Sequence, residues 1–230
     1  MIRSLRHETP ITHRGRRSSA FSSPARKPRA SLGPGLVALC LAVLVAQIDT
    51  AVVNLAMCRI GDELDASTGA LQRVLDSYNL IYEVLLLTGG LLADLYGRRR
   101  IFVVGAGLFT VASVVRAAAP SVQILIGGCA LAGLGAALLM PASLAITRVL
   151  WCDSNQWSRA LGIWAACNGL AMVMGPTLGG MLIVSLGWRG IFLIAIPFSV
   201  AAPVVAYASI PETSDPFIAR MAEQRPIQRG

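Results

Sequence analysis

Between residues 32 and 209 the sequence offers six apolar runs parted by short polar links: 32–57, 71–93, 101–119, 122–147, 160–186 and 190–209. A helix needs about 20 apolar residues to cross roughly 30 Å of hydrocarbon. Lipid offers no partner to an unpaired backbone N–H or C=O, so runs of this kind must fold as helices. Links this short bring consecutive helices together as antiparallel neighbours. The runs therefore predict an all-α membrane protein, with one six-helix bundle over 32–210. A basic tail, 1–31, precedes it and a polar tail, 211–230, follows. Only 14% of the residues are charged and 55% are hydrophobic, against about 25% charged in a soluble domain.

The charges that remain are unevenly placed. Eight of the 20 Lys and Arg residues lie in the first 30 positions, and most others fall in the links. With the amino terminus in the cytoplasm, 16 fall on the cytoplasmic side. Four, Arg59, Arg73, Arg116 and Arg189, fall on the outer side, where Asp62, Glu63 and Asp65 also lie. This asymmetry predicts a multi-pass protein of the cell membrane with both termini inside. The net charge of +8 does not point to nucleic acid, because no basic helical face interleaved with aromatics is present. Residues 1–31 are rich in Arg, Ser and Pro and carry one acid, Glu8. They read as a disordered cytoplasmic tail. A transit peptide shares that composition, but no amphipathic period accompanies it here.

Enzyme chemistry finds little to build on. The five cysteines are scattered without a CxxC pair and read as small packing residues. Both histidines, His7 and His13, lie in the tail. No Ser/His, paired-Asp or His-rich set occupies the apolar runs, so neither enzyme, metal site nor cofactor is predicted.

Two acids stand inside the apolar runs. Asp49 lies deep in the first, within AQIDTAVVNLAM. A carboxylate at the bilayer centre costs about 2.5–3.5 kcal/mol on insertion scales. Such a group faces a cavity or a partner, and a carboxyl held from water suits the uptake and release of protons. The structural alternative is a protonated carboxyl hydrogen-bonded to Thr50 or Gln47. Asn54, five residues on, need not share its face. Glu83, in YNLIYEVLLLTGG, lies one turn beyond Asn79. It lines a polar substrate path with Asn54 or is a locally paired glutamate.

The link between the second and third runs reads GGLLADLYGRRR, residues 89–100. Gly89 and Gly90 allow close backbone approach, Asp94 marks the end of the apolar run, and Gly97 permits a sharp turn. Arg98, Arg99 and Arg100 hold this link in the cytoplasm. Gly90, Leu92, Ala93, Asp94, Gly97, Arg98 and Arg99 resemble the loop between helices two and three of the major facilitator superfamily, with Leu95 where a basic residue is usual. The segment 49–56, DTAVVNLA, resembles the first-helix signature of the 14-helix drug:proton antiporters, without its closing proline. Gly133, Gly135, Ala136 and Ala137 resemble the fourth-helix motif, with Cys129 at the place of its arginine and Ala132 at the place of its glutamine. Gly169, Gly175, Pro176, Gly179 and Gly180 resemble the fifth-helix antiporter motif. Trp188 to Phe192, then Pro197, resemble the opening of the sixth helix, and Trp188 suits an interfacial anchor. Pro211-Glu212-Thr213 resembles the loop that follows.

The resemblance implies the amino-terminal half of a transporter: one bundle of two inverted three-helix repeats, with substrate taken between it and a second bundle. It implies efflux of a hydrophobic or cationic drug-like molecule in exchange for protons. Asp49 would be the proton carrier, with Gly90, Asp94, Gly97, Arg98 and Arg99 as a cytoplasmic gate. The implied partners are the bilayer, the substrate, protons and a second bundle or a second copy. Cys129 in place of the arginine leaves Asp49 without the family's cation. A truncated, transport-inactive product therefore stands as an alternative reading. A self-associating six-helix channel or scaffold is a further one.

Overall fold

A computed structural model describes residues 33–151 and 153–212, and these are helical throughout apart from short links. The five helices are α1 (Pro34–Leu64), α2 (Thr68–Tyr96), α3 (Arg98–Ala117), α4 (Val122–Leu150) and α5 (Ser154–Ser209). All five are long and apolar enough to cross a membrane. The predicted tail 1–31 and all of the predicted tail 211–230 beyond residue 212 lie outside the described residues.

The helix ends follow local chemistry. Proline near the start of α1 supplies a pre-set helical φ. The helix runs on to Leu64, past the expected boundary at Met57, and stops where Asp65 adopts φ 46° and its N–H reaches Gly61 O. Ser67 caps α2 by accepting from Ala70 N–H at 3.3 Å. Only Gly97, at φ 105°, separates α2 from α3.

Six predicted runs and five helices are reconciled at Gly187. Its φ of 71° and ψ of 176° interrupt α5, dividing it into a first arm and a second arm. The break falls there and not at Gly175-Pro176, and α4 likewise runs unbroken through Pro141. Contacts at the two ends establish the path. At one end, a side chain on Gly35 would touch both Leu150 and Ile210, and Arg99 donates to Ile210 O at 3.1 Å. At the other end, Arg189 pairs with Glu63 and donates to Ala119 O at 3.0 Å. The chain thus passes from end to end six times, and positions 34 and 212 lie at the same end.

Small residues set the spacing of the bundle. A Cβ on Gly105 would lie 2.8 Å from Gly135 O, and one on Gly135 would lie 2.8 Å from Gly105 O. The α3 and α4 backbones are therefore in direct contact. Gly89 on α2 meets Ala137 O on α4, and Gly133 would meet Tyr78 O at 2.5 Å. The first arm of α5 lies on α1 through Gly175 against Ala51 and Gly179 against Val52. Polar side chains add hydrogen bonds between helices. Thr110 Oγ1 lies 2.9 Å from Ser199 Oγ, and Trp164 Nε1 donates to Ser143 Oγ at 3.2 Å.

Every helix exposes large apolar side chains, with the most exposed on α2 and on the first arm of α5. On α2 these include Leu80, Val84, Leu87 and Leu91; on the first arm of α5 they include Met172, Val173, Met181 and Val184.

Candidate functional site: a buried ion pair beside an apolar cavity

The predicted proton carrier is one of the most enclosed polar groups in the bundle. Asp49 is 3% exposed, and its Oδ2 accepts from Arg116 Nη1 at 2.8 Å. Arg116 is fully buried in the last turn of α3. This overturns two expectations. Arg116 is not a free charge on the outer surface, and Asp49 does not lack a cation although Cys129 replaces the fourth-helix arginine. Asp49 is also not the carboxyl hydrogen-bonded to Thr50 or Gln47 of the structural alternative, since Oδ2 accepts from Arg116 and Oδ1 has no partner among the described residues. Thr50 Oγ1 donates instead to Ala46 O at 3.1 Å, one turn back.

The direction of helical side chains explains the reach. They lean toward the amino-terminal end of their own helix. From the end of α3 the Arg116 side chain runs back into the bundle, where Nε donates to Ala112 O at 3.4 Å and Nη2 to Ser113 Oγ at 3.2 Å. The guanidinium centre lies 4.4 Å from the ring centroid of Phe192 on α5 and 5.5 Å from that of Phe109. Aromatic faces of this kind stabilise a desolvated cation. Cys129 lies beside the same guanidinium. One arginine on α3 thereby ties α1, α4 and α5 together.

The second carboxylate oxygen is in a different position. Asp49 Oδ1 is buried and has no hydrogen-bond partner among the described residues. Asp49 also lines a cavity of about 210 Å³ between α1 and both arms of α5, with Leu44, Ile48, Leu178, Ile194 and Phe198 among its walls.

The other predicted site residues are not gathered here. Asn54 is exposed and donates to Thr50 O at 2.8 Å, and it lines a small separate cleft with Tyr78, Asn79 and Cys129. Glu83 is exposed on the apolar face of α2. In the fifth-helix motif, Gly175 and Gly179 pack on α1, whereas Gly169 and Gly180 meet nothing within 4 Å.

The arginine link is a compact polar lock at the end that holds positions 34 and 212. Asp94 Oδ1 accepts from Arg98 Nε at 2.9 Å and Nη2 at 2.7 Å. Arg99 N–H donates to Glu212 Oε1 at 3.2 Å, and the Arg99 guanidinium lies 4.6 Å from the Tyr207 ring centroid. Gly90 packs on Pro141 Cβ. A side chain on Gly97 would meet Glu212 Oε1 at 2.5 Å. At the opposite end Trp188 is 2% exposed and donates from Nε1 to Glu63 Oε2 at 2.7 Å. It serves as a buried clasp rather than as the expected interfacial anchor. Sequence reasoning missed Arg116, Glu63 and Glu212.

A six-pass bundle of apolar, glycine-packed helices with an enclosed Asp–Arg pair marks a multi-pass membrane protein. The chain belongs to the Major Facilitator Superfamily, whose family description it matches over residues 39–228. It is 40% identical over 172 residues to the methylenomycin A resistance protein of Bacillus subtilis, covering 75% of this chain and 37% of that protein. It is 35% identical over 181 residues to a multidrug efflux pump of Mycolicibacterium smegmatis, covering 79% of this chain and 36% of the pump. The chain thus spans little more than a third of the length of these curated relatives. In fold it resembles a crystallised POT peptide transporter, with a TM-score of 0.70 and 18% identity over 82% of this chain and 42% of that one.

Proposed function

We propose that the chain is one bundle of a drug-efflux transporter, with Asp49 as the group that takes up and releases the coupling proton. The observation that carries this reading is the enclosed Asp49–Arg116 pair. Breaking a buried pair by neutralising one partner is strongly unfavourable unless the structure rearranges. Protonation of Asp49 therefore has a built-in mechanical consequence: it frees Arg116, which ties α3 to α1. The names of the relatives, which are resistance proteins and efflux pumps, support export of a drug-like molecule, hydrophobic or cationic.

The working unit requires a second six-helix bundle. The architecture supports this, because transporters of this kind move one bundle against another. The end bearing Arg98, Arg99, Arg100 and Arg148 faces the cytoplasm of the cell membrane under the positive-inside rule. Both described ends, 34 and 212, then lie on that side. Asp94, Arg98, Arg99 and Gly97 form the cytoplasmic gate, closed by Glu212. Glu83 and Asn54 contribute polarity to the path between bundles.

The test is ethidium retention in cells lacking their own efflux pumps. Expression of the chain lowers retention, and a protonophore or Asp49→Asn restores it. Retention that is the same with and without the chain overturns the transport reading.

A further inference from the structure

α1 and the first arm of α5 run parallel, since both set out from the end that holds Gly35 and Leu150. Parallel helices climb by the same rise per residue, so one offset in sequence relates their facing positions. A Cβ on Gly179 would lie 2.6 Å from Val52 Cγ2, and one on Gly175 would lie 3.8 Å from Ile48 Cα. These two pairs share one offset. Carried about two turns further toward the starting end, that offset joins Cys40 to Cys167. There the two thiols lie against one another. Cys40 is 8% exposed in an apolar core cluster, and Cys167 packs on that cluster while staying partly open. The glycines at 175 and 179 bring the two backbones close, as a disulfide requires, since it spans about 4.4–6.8 Å between Cα atoms. We propose that Cys40 and Cys167 form a dithiol site that a small, uncharged peroxide closes to a disulfide, locking α1 to the first arm of α5.

Cys167 is the more open of the two and reacts first. Its sulfur attacks one oxygen of hydrogen peroxide, the O–O bond breaks, and the thiol proton leaves with the other oxygen as water. The product is a sulfenic acid. The Cys40 sulfur then attacks the sulfenic sulfur, the S–O bond breaks, and the second thiol proton leaves with that oxygen as water. The two thiols lose two electrons, and one peroxide gains them in becoming two waters. Thiols and disulfide are all uncharged, so the change leaves no charge in the apolar core. Burial slows the first step, because the thiolate is the reactive form. A resolving thiol already in contact favours the second step over further oxidation. The other described cysteines stand apart: Cys58 is exposed on α1, and Cys129 packs in a different core cluster on α4. α1 also carries Asp49, so in a working transporter the lock holds that helix against the first arm of α5. That consequence rests on the reading above; the modification itself does not.

The test uses the full chain in lipid nanodiscs with Cys58→Ala, because trypsin leaves Cys40 and Cys58 on one peptide. The chain is treated with hydrogen peroxide, blocked with N-ethylmaleimide, denatured and digested, and the peptides are weighed by mass spectrometry. The Cys40 peptide is joined to the Cys167 peptide as the dominant cysteine pairing, and reduction of the digest separates them. The oxidised chain also melts at a higher temperature, because a cross-link constrains the unfolded state. Cys167→Ser loses both the joined peptide and the rise. In the unsubstituted chain, dimedone labelling of the exposed Cys58 shows that peroxide reached the protein. With that label present, absence of the joined peptide overturns the proposal. So does a Cys40–Cys167 linkage no more frequent than other cysteine pairings. The linkage forms or fails whether or not the chain lowers ethidium retention, so this proposal and the transport reading fail separately.

Discussion

A Cβ placed on Gly128 of α4 would lie 2.6 Å from Cγ of Arg116 and 3.5 Å from its backbone nitrogen. The missing side chain of one residue is therefore the space that lets the other fold back toward Asp49. Gly128→Ala presses on the root of the arginine side chain, which has no freedom to swing aside while Phe109 and Phe192 flank its head. The expected cost is about 1–3 kcal/mol, as for other overpacked cores. Thermal unfolding of the detergent-solubilised chain, followed by helical circular dichroism, reads it. Gly127→Ala is the control, because nothing lies within 4 Å of its Cβ position. Equal melting temperatures for the two variants would contradict this account.

The ion pair itself makes a sharper forecast. Asp49→Asn strands a guanidinium that is 0% exposed, and Arg116→Gln strands a carboxylate that is 1% exposed. Each single change is expected to destabilise by about 3–5 kcal/mol. The double variant Asp49→Asn, Arg116→Gln removes both charges together and costs less than the sum of the two. A double-mutant cycle on melting temperature measures the coupling. A coupling of zero would mean that the two groups do not meet in the membrane.

In the link between α2 and α3, Gly97 is constrained twice. Its φ of 105° disfavours any side chain, and a Cβ there would collide with Glu212 Oε1. Gly97→Ala is expected to cost about 1–3 kcal/mol through backbone strain. It should also release Glu212 from the Arg99 N–H, which a fluorophore at the exposed Pro211→Cys, in a Cys58→Ala background, reports as increased mobility. Glu212→Gln keeps the shape and removes the charge. It weakens the half-buried pair with Arg99 and the more exposed one with Arg100, and is expected to cost about 1 kcal/mol.

The outer clasp is expected to control local order more than stability. Glu63→Gln weakens the pair with Arg189 but leaves an oxygen for Trp188 Nε1. Glu63→Ala removes both partners from the Gly187 turn. With Trp151, Trp157 and Trp164 replaced by Phe, Trp188 fluorescence shifts to the red in Glu63→Ala and little in Glu63→Gln, with the melting temperature changed by only a few degrees in either. An unshifted emission in Glu63→Ala would mean that Trp188 stays buried without the clasp.

Much of the fold was legible because a bilayer imposes one pattern on the sequence. Six apolar runs of crossing length gave six traverses, and the fifth and sixth merged only because a single residue, Gly187, makes their turn. Asp49 was legible because a lone carboxylate in an apolar run has so few explanations. Arg116 was not. It stands at the end of its run, where an arginine normally belongs to the link, and 67 positions separate it from its partner. The lean of helical side chains toward the amino terminus turns that terminal position into an interior one. A usable signal was present in Gly128-Cys129, two small residues where the family resemblance leads one to expect a large cation. Glu212 and Glu63 were obscured in the same way, as acids in links whose partners lie more than 100 positions away.

The exchange between α3 and α4 can be tested by reversing it. Cys129 occupies the place of the arginine in the fourth-helix motif that the chain resembles, and it lies beside the guanidinium of Arg116. Either helix can then present a cation to Asp49, provided that the other presents a small side chain. Arg116→Cys alone leaves the buried carboxylate uncompensated and is expected to lose about 3–5 kcal/mol. Cys129→Arg alone places two guanidiniums against one carboxylate and should fold no better. The double variant Arg116→Cys, Cys129→Arg restores one cation and one small residue, now on the opposite helices, and recovers most of the loss. Melting temperature and yield in membranes measure all four chains side by side. A double variant no more stable than Arg116→Cys would mean that α4 cannot aim an arginine at Asp49 in this bundle, and that Arg116 is held by its α3 geometry rather than by the pairing of charge.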